Sequence, residues 1–245
     1  MHIIPTDVLD GSVRWSLHAG DCRLWFPTVP TASVDAVVCD PPYPEIDRDY
    51  GRLTERQWHA LMDVVVTECR RVLKPRGSAV FVLQANSERL GRARTWLWEF
   101  MARWGAAWGI IQDVWWWNTS SPPTKHVDRT VGLLRPSLKA CVWLGPPDCF
   151  RAQDRVLWTE SERNAARRAE ARALGEKGND IERRPSGHRQ RLARMVGAAV
   201  ERGGVTPFNL LPIAATNSMS SGAASGHGAA TPPALRSEER RVGKE

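Results

Sequence analysis

Residues 37–44 read Val37-Val38-Cys39-Asp40-Pro41-Pro42-Tyr43-Pro44 ("VVCDPPYP"). An apolar run passes straight into a carboxylate, two prolines and an aromatic ring. The run itself, within "SVDAVVCD", is too continuous for a half-exposed face and predicts a buried, central strand of a parallel sheet. Proline lacks a backbone N–H, so the strand stops there and a stiff loop follows whose carbonyls are open as acceptors. In parallel α/β sheets ligands gather beyond the carboxyl ends of strands, which is where this loop falls. Asp40 adds a carboxylate acceptor and Tyr43 a ring face. Together they suit a flat group that donates hydrogen bonds, such as the exocyclic amine of a nucleobase. A plain Asp-Pro turn with a packed Tyr accounts for the same four residues.

Working outward, "VRWSLHAGDCRLWF" predicts a short strand and a turn at Gly20-Asp21. Thr54 and Gln57 have the spacing of a capping box, and Trp58, Leu61, Met62, Val65, Cys69 and Val72 fall on one face of the helix it would start. "LKPRG" (73–77) predicts the end of that helix and "SAVFVL" (78–83) a second buried strand. Ser87 is placed to cap another helix, with Leu90, Leu97, Met101 and Trp104 along one stripe. "GIIQDVWWWN" (109–118) and "SLKACVWLG" (137–145) predict two further strands, joined by an irregular stretch. Alternating strands and helices predict an α/β fold with a parallel sheet and crossover helices.

Composition sets the outer bounds. The 245 residues include 12 Trp, most of which belong in a core or against other rings. No apolar run reaches the ~18 residues of a membrane span, and the N-terminus lacks a signal peptide pattern. Five cysteines without CxxC pairing read as reduced, cytoplasmic residues and argue against a zinc site. Residues 151–202 hold 13 Arg+Lys against 8 Asp+Glu, a surplus of five within the chain's net +7. That density suits a polyanion, and equally a solvated polar helix with i,i+4 charge pairs. The Gly/Ala/Ser/Pro-rich stretch 203–235 has the composition of a linker.

The order "HAGDCRLWF", "SVDAVVCDPPY", "RRVLKPRGSAVFVL", "WWWN…RPSLKACVWLG" and "NLLPIAATNSMSSG…HGAATPPAL" resembles the DNA amino-methyltransferases, in the permuted class whose catalytic half comes first. The resemblance runs over roughly residues 12–235. It implies a Rossmann-like S-adenosylmethionine-dependent methyltransferase sheet and methyl transfer to N6 of adenine or N4 of cytosine in double-stranded DNA. Asp40 in the first motif position leans towards N6 of adenine. Asp40 and the Pro41 carbonyl would accept from the amine, with Pro42 stiffening the loop and Tyr43 stacking on a flipped base. Asp21, Asp40, Thr216 and Asn217 become candidate contacts of the cofactor, although a plain Asp turn also explains Asp21. Asn118, Lys125, Arg129, Arg183, Arg184 and Arg189 become candidate DNA contacts. No metal is implied.

The same resemblance partitions the chain into a catalytic half (12–150), a basic helical target-recognition insertion (151–205), the start of the cofactor half (206–235) and a tail (236–245). The family's glycine-rich "[DN]-P-F-x-G-x-G" cofactor loop is expected about twenty residues after "HGAATPPAL". "RSEERRVGKE" stands there instead and resembles translated adapter or vector sequence. The expectation is therefore a sheet incomplete at its C-terminus and a chain inactive by itself. A DNA-binding module without the cofactor half is the alternative.

Overall fold

A computed structural model of the chain describes residues 5–48, 51–88, 91–119, 134, 136–158 and 202–213. These belong to two compact units, Met1–Phe150 with Asn209–Arg236, and Arg151–Phe208 with Ser237–Glu245. The first contains a five-stranded sheet in the order β1-β2-β4-β3-β5. Its strands are β1 (Val34–Cys39), β2 (Leu73–Leu83), β3 (Ile110–Asn118), β4 (Leu138–Leu144) and β5 (Leu210–Ile213). The helices are α1 (Pro5–Leu9), α2 (Cys22–Trp25), α3 (Glu55–Val72) and α4 (Trp96–Ala107).

The sheet is mixed, which corrects the expected all-parallel one. β1 pairs parallel with β2 and β3 with β5, whereas β4 runs antiparallel to both β2 and β3. β3 and β4 are consecutive in the chain and pair directly, an arrangement that needs no crossover helix. Four strands thus share one direction. The carboxyl ends of β1, β2, β3 and β5 and the first residues of β4 make a single rim.

α3 forms where its sequence predicts. The Thr54 hydroxyl accepts from the Gln57 N–H, and the Gln57 side chain accepts from the Thr54 N–H, closing the capping box. Trp58, Met62, Val65, Val66, Cys69 and Val72 are buried along the helix. They pack with Phe81 and Leu83 of β2, Ala140, Val142 and Leu144 of β4, and Trp96, Leu97, Phe100 and Trp104 of α4. The alternate residues Val82, Trp116 and Cys141 form a smaller cluster. The two sets obey strand alternation, so the sheet has apolar side chains on both faces.

Several boundaries differ from expectation. β2 begins at Leu73, and "LKPRG" is its first part; the register with β1 slips between Val34↔Leu73 and Ala36↔Ser78. Pro75 is tolerated because it lies in this irregularity, where no ladder bond is lost. Gly77 is required there, since a Cβ would sit 2.9 Å from the Asp35 carbonyl oxygen. α4 starts at Trp96 and not near Ser87, which instead bridges to Ala93. Residues 15–19 form no strand, and Trp15 and Leu17 are exposed. β1 itself is an edge strand among the described residues, with Val38 53% exposed, not the buried central strand its apolar run predicts.

In the second unit Trp158 and Val205 exchange backbone hydrogen bonds, Trp158 packs edge-on against Phe208, and Arg202 pairs with Asp154. No described helix is long and apolar enough to cross a membrane.

Candidate active site

The loop that follows β1 is held by indole and amide donors from three other elements. The Trp58 Nε1–H of α3 donates to the Pro42 carbonyl at 2.7 Å. Asn86, just beyond β2, donates from Nδ2 to the Pro44 carbonyl at 2.6 Å, and its Oδ1 accepts from the Trp96 Nε1–H at 2.9 Å. Trp58 and Trp96 are fully buried and meet edge to face at 4.6 Å. Each indole therefore combines a core ring with one polar handle, that of Trp58 aimed at the loop and that of Trp96 at the Asn86 side chain that holds it. Glu45, at φ 62°, continues the anchoring: its carboxylate accepts from the Glu55 N–H and from Arg52. A loop that lacks three backbone donors is thereby positioned through its acceptors.

With Pro42 and Pro44 engaged, the Pro41 carbonyl is left without a donor among the described residues. Pro41 is buried, Asp40 exposed and Tyr43 half-buried. The Tyr43 hydroxyl donates towards Asp40 Oδ1 at 3.0 Å and lies 3.3 Å from the Val82 carbonyl. The Tyr43 ring stacks on Trp96, with centroids 6.4 Å apart and planes at 30°. Asp40, Pro41 and Tyr43 are thus brought together as acceptor, acceptor and ring. Cys39, one residue earlier, has its thiol pushed up to about 12 by burial. It stays protonated at neutral pH and packs against the core as a small apolar residue.

Lys139, the second residue of β4, comes to the same place. Its ammonium lies 5.6 Å from the centre of the Tyr43 ring and 4.8 Å from that of Trp116. Burial lowers its pKa, while the negative charge of Asp40 opposes the shift. Lys139, Trp58, Asn86 and Trp96 were not singled out by sequence reasoning. Only Lys139 left a signal, as the one charge in the otherwise apolar run "SLKACVWLG".

The remaining predicted residues divide into placed and outside. Asp21 is the N-cap of α2: its carboxylate accepts from the Arg23 N–H at 2.9 Å and pairs with the Arg23 guanidinium, which holds it below the usual carboxylate range. Trp25 of α2 packs against the same core cluster as Val37 and Cys39 of β1. Asn118 ends β3 on the same rim, its N–H donating to the Ser137 carbonyl at 2.8 Å. Trp116 is buried and its Nε1–H donates to the Ile213 carbonyl, so the Trp triplet does serve the core in its middle member. Lys125, Arg129, Arg183, Arg184, Arg189, Thr216 and Asn217 lie outside the described residues. Among the described residues no group of His, Cys, Asp or Glu is arranged to hold a metal ion.

The fold is similar to that of a solved DNA methyltransferase. The PvuII DNA methyltransferase, cytosine-N4-specific, superposes with a TM-score of 0.60 at 17% identity, covering 88% of this chain and 65% of that one. The chain thus spans about two thirds of that enzyme's length. A DNA modification methylase of Thermus thermophilus, crystallised with S-adenosyl-L-methionine, matches at a TM-score of 0.40 and 22% identity over 61% of this chain and 58% of that one. None of the curated proteins matches significantly. Residues 34–179 match the N6/N4 DNA methylase profile, and the chain belongs to that family.

Proposed function

We propose that Asp40, Pro41, Pro42 and Tyr43 form the base pocket of an S-adenosylmethionine-dependent DNA methyltransferase acting on an exocyclic amine. The observation that carries this reading is the division of labour among the loop carbonyls. Trp58 and Asn86 occupy Pro42 and Pro44. The Asp40 carboxylate and the Pro41 carbonyl then offer two acceptors, matching the two hydrogens of an amine. Such an amine is a poor nucleophile because its lone pair is delocalised into the ring. Hydrogen bonds to both hydrogens localise the pair and orient it, so that positioning provides much of the rate. Tyr43 supplies a stacking face, and its hydroxyl must yield Asp40 Oδ1 as the amine arrives. Inside a duplex the amine is out of reach, so the base is flipped, at a cost of a few kcal/mol.

S-adenosylmethionine supplies the methyl group from its sulfonium when bound. Asp21 and Asp40, both exposed carboxylates, fit the donor-rich, cationic character of that molecule. Thr216 and Asn217 would add to its site, and Asn118, Lys125, Arg129, Arg183, Arg184 and Arg189 would contact the DNA. N6 of adenine is the preferred target on the strength of Asp40, with N4 of cytosine the alternative; both amines offer the same donors to this pocket.

Methyl transfer from labelled cofactor to duplex DNA, measured on the chain completed with the family's glycine-rich cofactor loop, tests the reading. Asp40→Ala is expected to lower turnover at least a hundredfold, in line with the loss of a positioned polar group, while cofactor binding changes little. Tyr43→Phe is expected to be mild and Tyr43→Ala severe. Near-normal turnover in Asp40→Ala removes the assignment. Mass spectrometry of the digested DNA then identifies N6-methyladenine or N4-methylcytosine.

A further inference from the structure

We infer that Lys139 is the donor arm of the base pocket, hydrogen-bonding the ring nitrogen next to the exocyclic amine: N1 of adenine or N3 of cytosine. The inference rests on the base-pocket reading above and deepens it. An ammonium carries three donors, yet among the described residues no acceptor lies within hydrogen-bond distance of the Lys139 Nζ. It is held by two ring faces, those of Tyr43 and Trp116, in a half-buried position. β4 is otherwise apolar at Leu138, Ala140, Cys141, Val142 and Leu144, so a solvated face does not explain a lysine here. Partly burying a charge is costly unless water or a ligand satisfies its donors, and a ligand on the Tyr43 face would take the place of that water.

The chemistry on the two sides is complementary. The Asp40 carboxylate and Pro41 carbonyl accept and nothing in them can donate. Every amine substrate of this kind carries, on the neighbouring ring position, a nitrogen that only accepts. The ammonium stands over the Tyr43 ring, 5.6 Å from its centre, so a base stacking on that face displaces it towards the base's edge, where the ring-nitrogen lone pair lies. Lys139 would then distinguish the amidine-like edge of adenine or cytosine from the edges of guanine and thymine, whose corresponding ring nitrogens carry hydrogen and repel a donor. The carboxylate of Asp40 opposes the lowering of the ammonium's pKa by burial.

The test is a nucleoside titration of the full chain, read by tryptophan fluorescence and ligand-observed NMR. Deoxyadenosine is compared with its 1-deaza analogue and deoxycytidine with its 3-deaza analogue, each replacing only the ring nitrogen by C–H. The wild-type chain is expected to bind at least one natural nucleoside about tenfold more tightly than its analogue, the size of one charge-assisted hydrogen bond. Lys139→Met, which keeps the buried stem, should erase that difference, and Lys139→Arg should keep part of it. Because each analogue also alters the ring itself, only the part of the gap lost on mutation is assigned to Lys139. Thermal melting checks that the variants fold, and Lys139→Gln replaces Lys139→Met if that variant does not. A gap that persists in the variant, or a wild-type chain that ignores the deaza change while Tyr43→Ala abolishes binding, overturns the role of Lys139 alone. A wild-type chain that binds no nucleoside, or one in which Tyr43→Ala binds normally, overturns the base-pocket reading and Lys139 with it.

Discussion

β1 and β2 lie side by side in parallel register, Val37 against Ala79, Val38 against Val80 and Cys39 against Phe81, and both end beside the candidate site. Their apolar content is alike. On one face Phe81 is nevertheless fully buried and its partner Cys39 half-buried, and on the other Val80 is half-buried while its partner Val38 is 53% exposed. β2 sits between β1 and β4, and its Phe81 packs into the cluster formed with α3 and α4. β1 has β2 as its one strand partner among the described residues. An apolar run therefore specifies a strand, whereas the number of neighbours decides how far that strand leaves water. The difference bears on function because β1 delivers Asp40 and β2 delivers the Val82 carbonyl that flanks Tyr43.

Three substitutions break or sharpen this contrast. Phe81→Ala empties a site filled by α4, since Phe100 meets the ring at 5.8 Å. It is expected to destabilise the fold by about 3–5 kcal/mol, read as a lowered denaturant midpoint with unchanged slope. A loss under about 1 kcal/mol would show that β2 is no more buried in solution than β1. Next in size, Trp58→Phe keeps the ring but removes the donor to Pro42. The part-buried carbonyl is then unsatisfied, and a loss of about 1–3 kcal/mol is expected, together with weaker nucleoside binding because the loop is released. Stability lost without any change in binding would separate the core role of Trp58 from its hold on the loop. The smallest effect is expected for Val38→Thr, within about 0.5 kcal/mol in the same denaturation experiment. A large effect there would mean that the exposed side of β1 is covered in solution.

What could be read from the chain followed from how local its causes are. The capping box at Thr54 and Gln57 and the stripe from Trp58 to Val72 involve residues within a turn or two of one another, so α3 was legible from end to end. The start of α4 was not, because the Ser87–Ala93 bridge, a pairing outside the helix, takes the residue that would otherwise cap it. "LKPRG" carries ordinary helix-stop residues, and its incorporation into β2 depends on a register slip against β1. In the candidate site, Asp40 to Tyr43 stood out because a proline pair stops an apolar run abruptly, and the resemblance to the DNA amino-methyltransferases favoured a base pocket over a plain Asp-Pro turn. Trp58, Asn86 and Trp96 carried no such mark, since a core tryptophan and a loop asparagine look the same whether or not they hold a carbonyl far away in the chain.

The amino-acid sequence by itself determined the existence and type of α3 and of β1 to β4, the abrupt stop at Asp40, and the acceptor character of the loop. These depend on periodicity, capping and the missing N–H of proline, all of which act within a few residues. Only the tertiary structure decided the direction of β4, the edge position of β1 and the meeting of Lys139 with Tyr43 and Asp40. Those depend on which strands pair and in what register, and pairing brings together residues far apart in the chain that share no local signal.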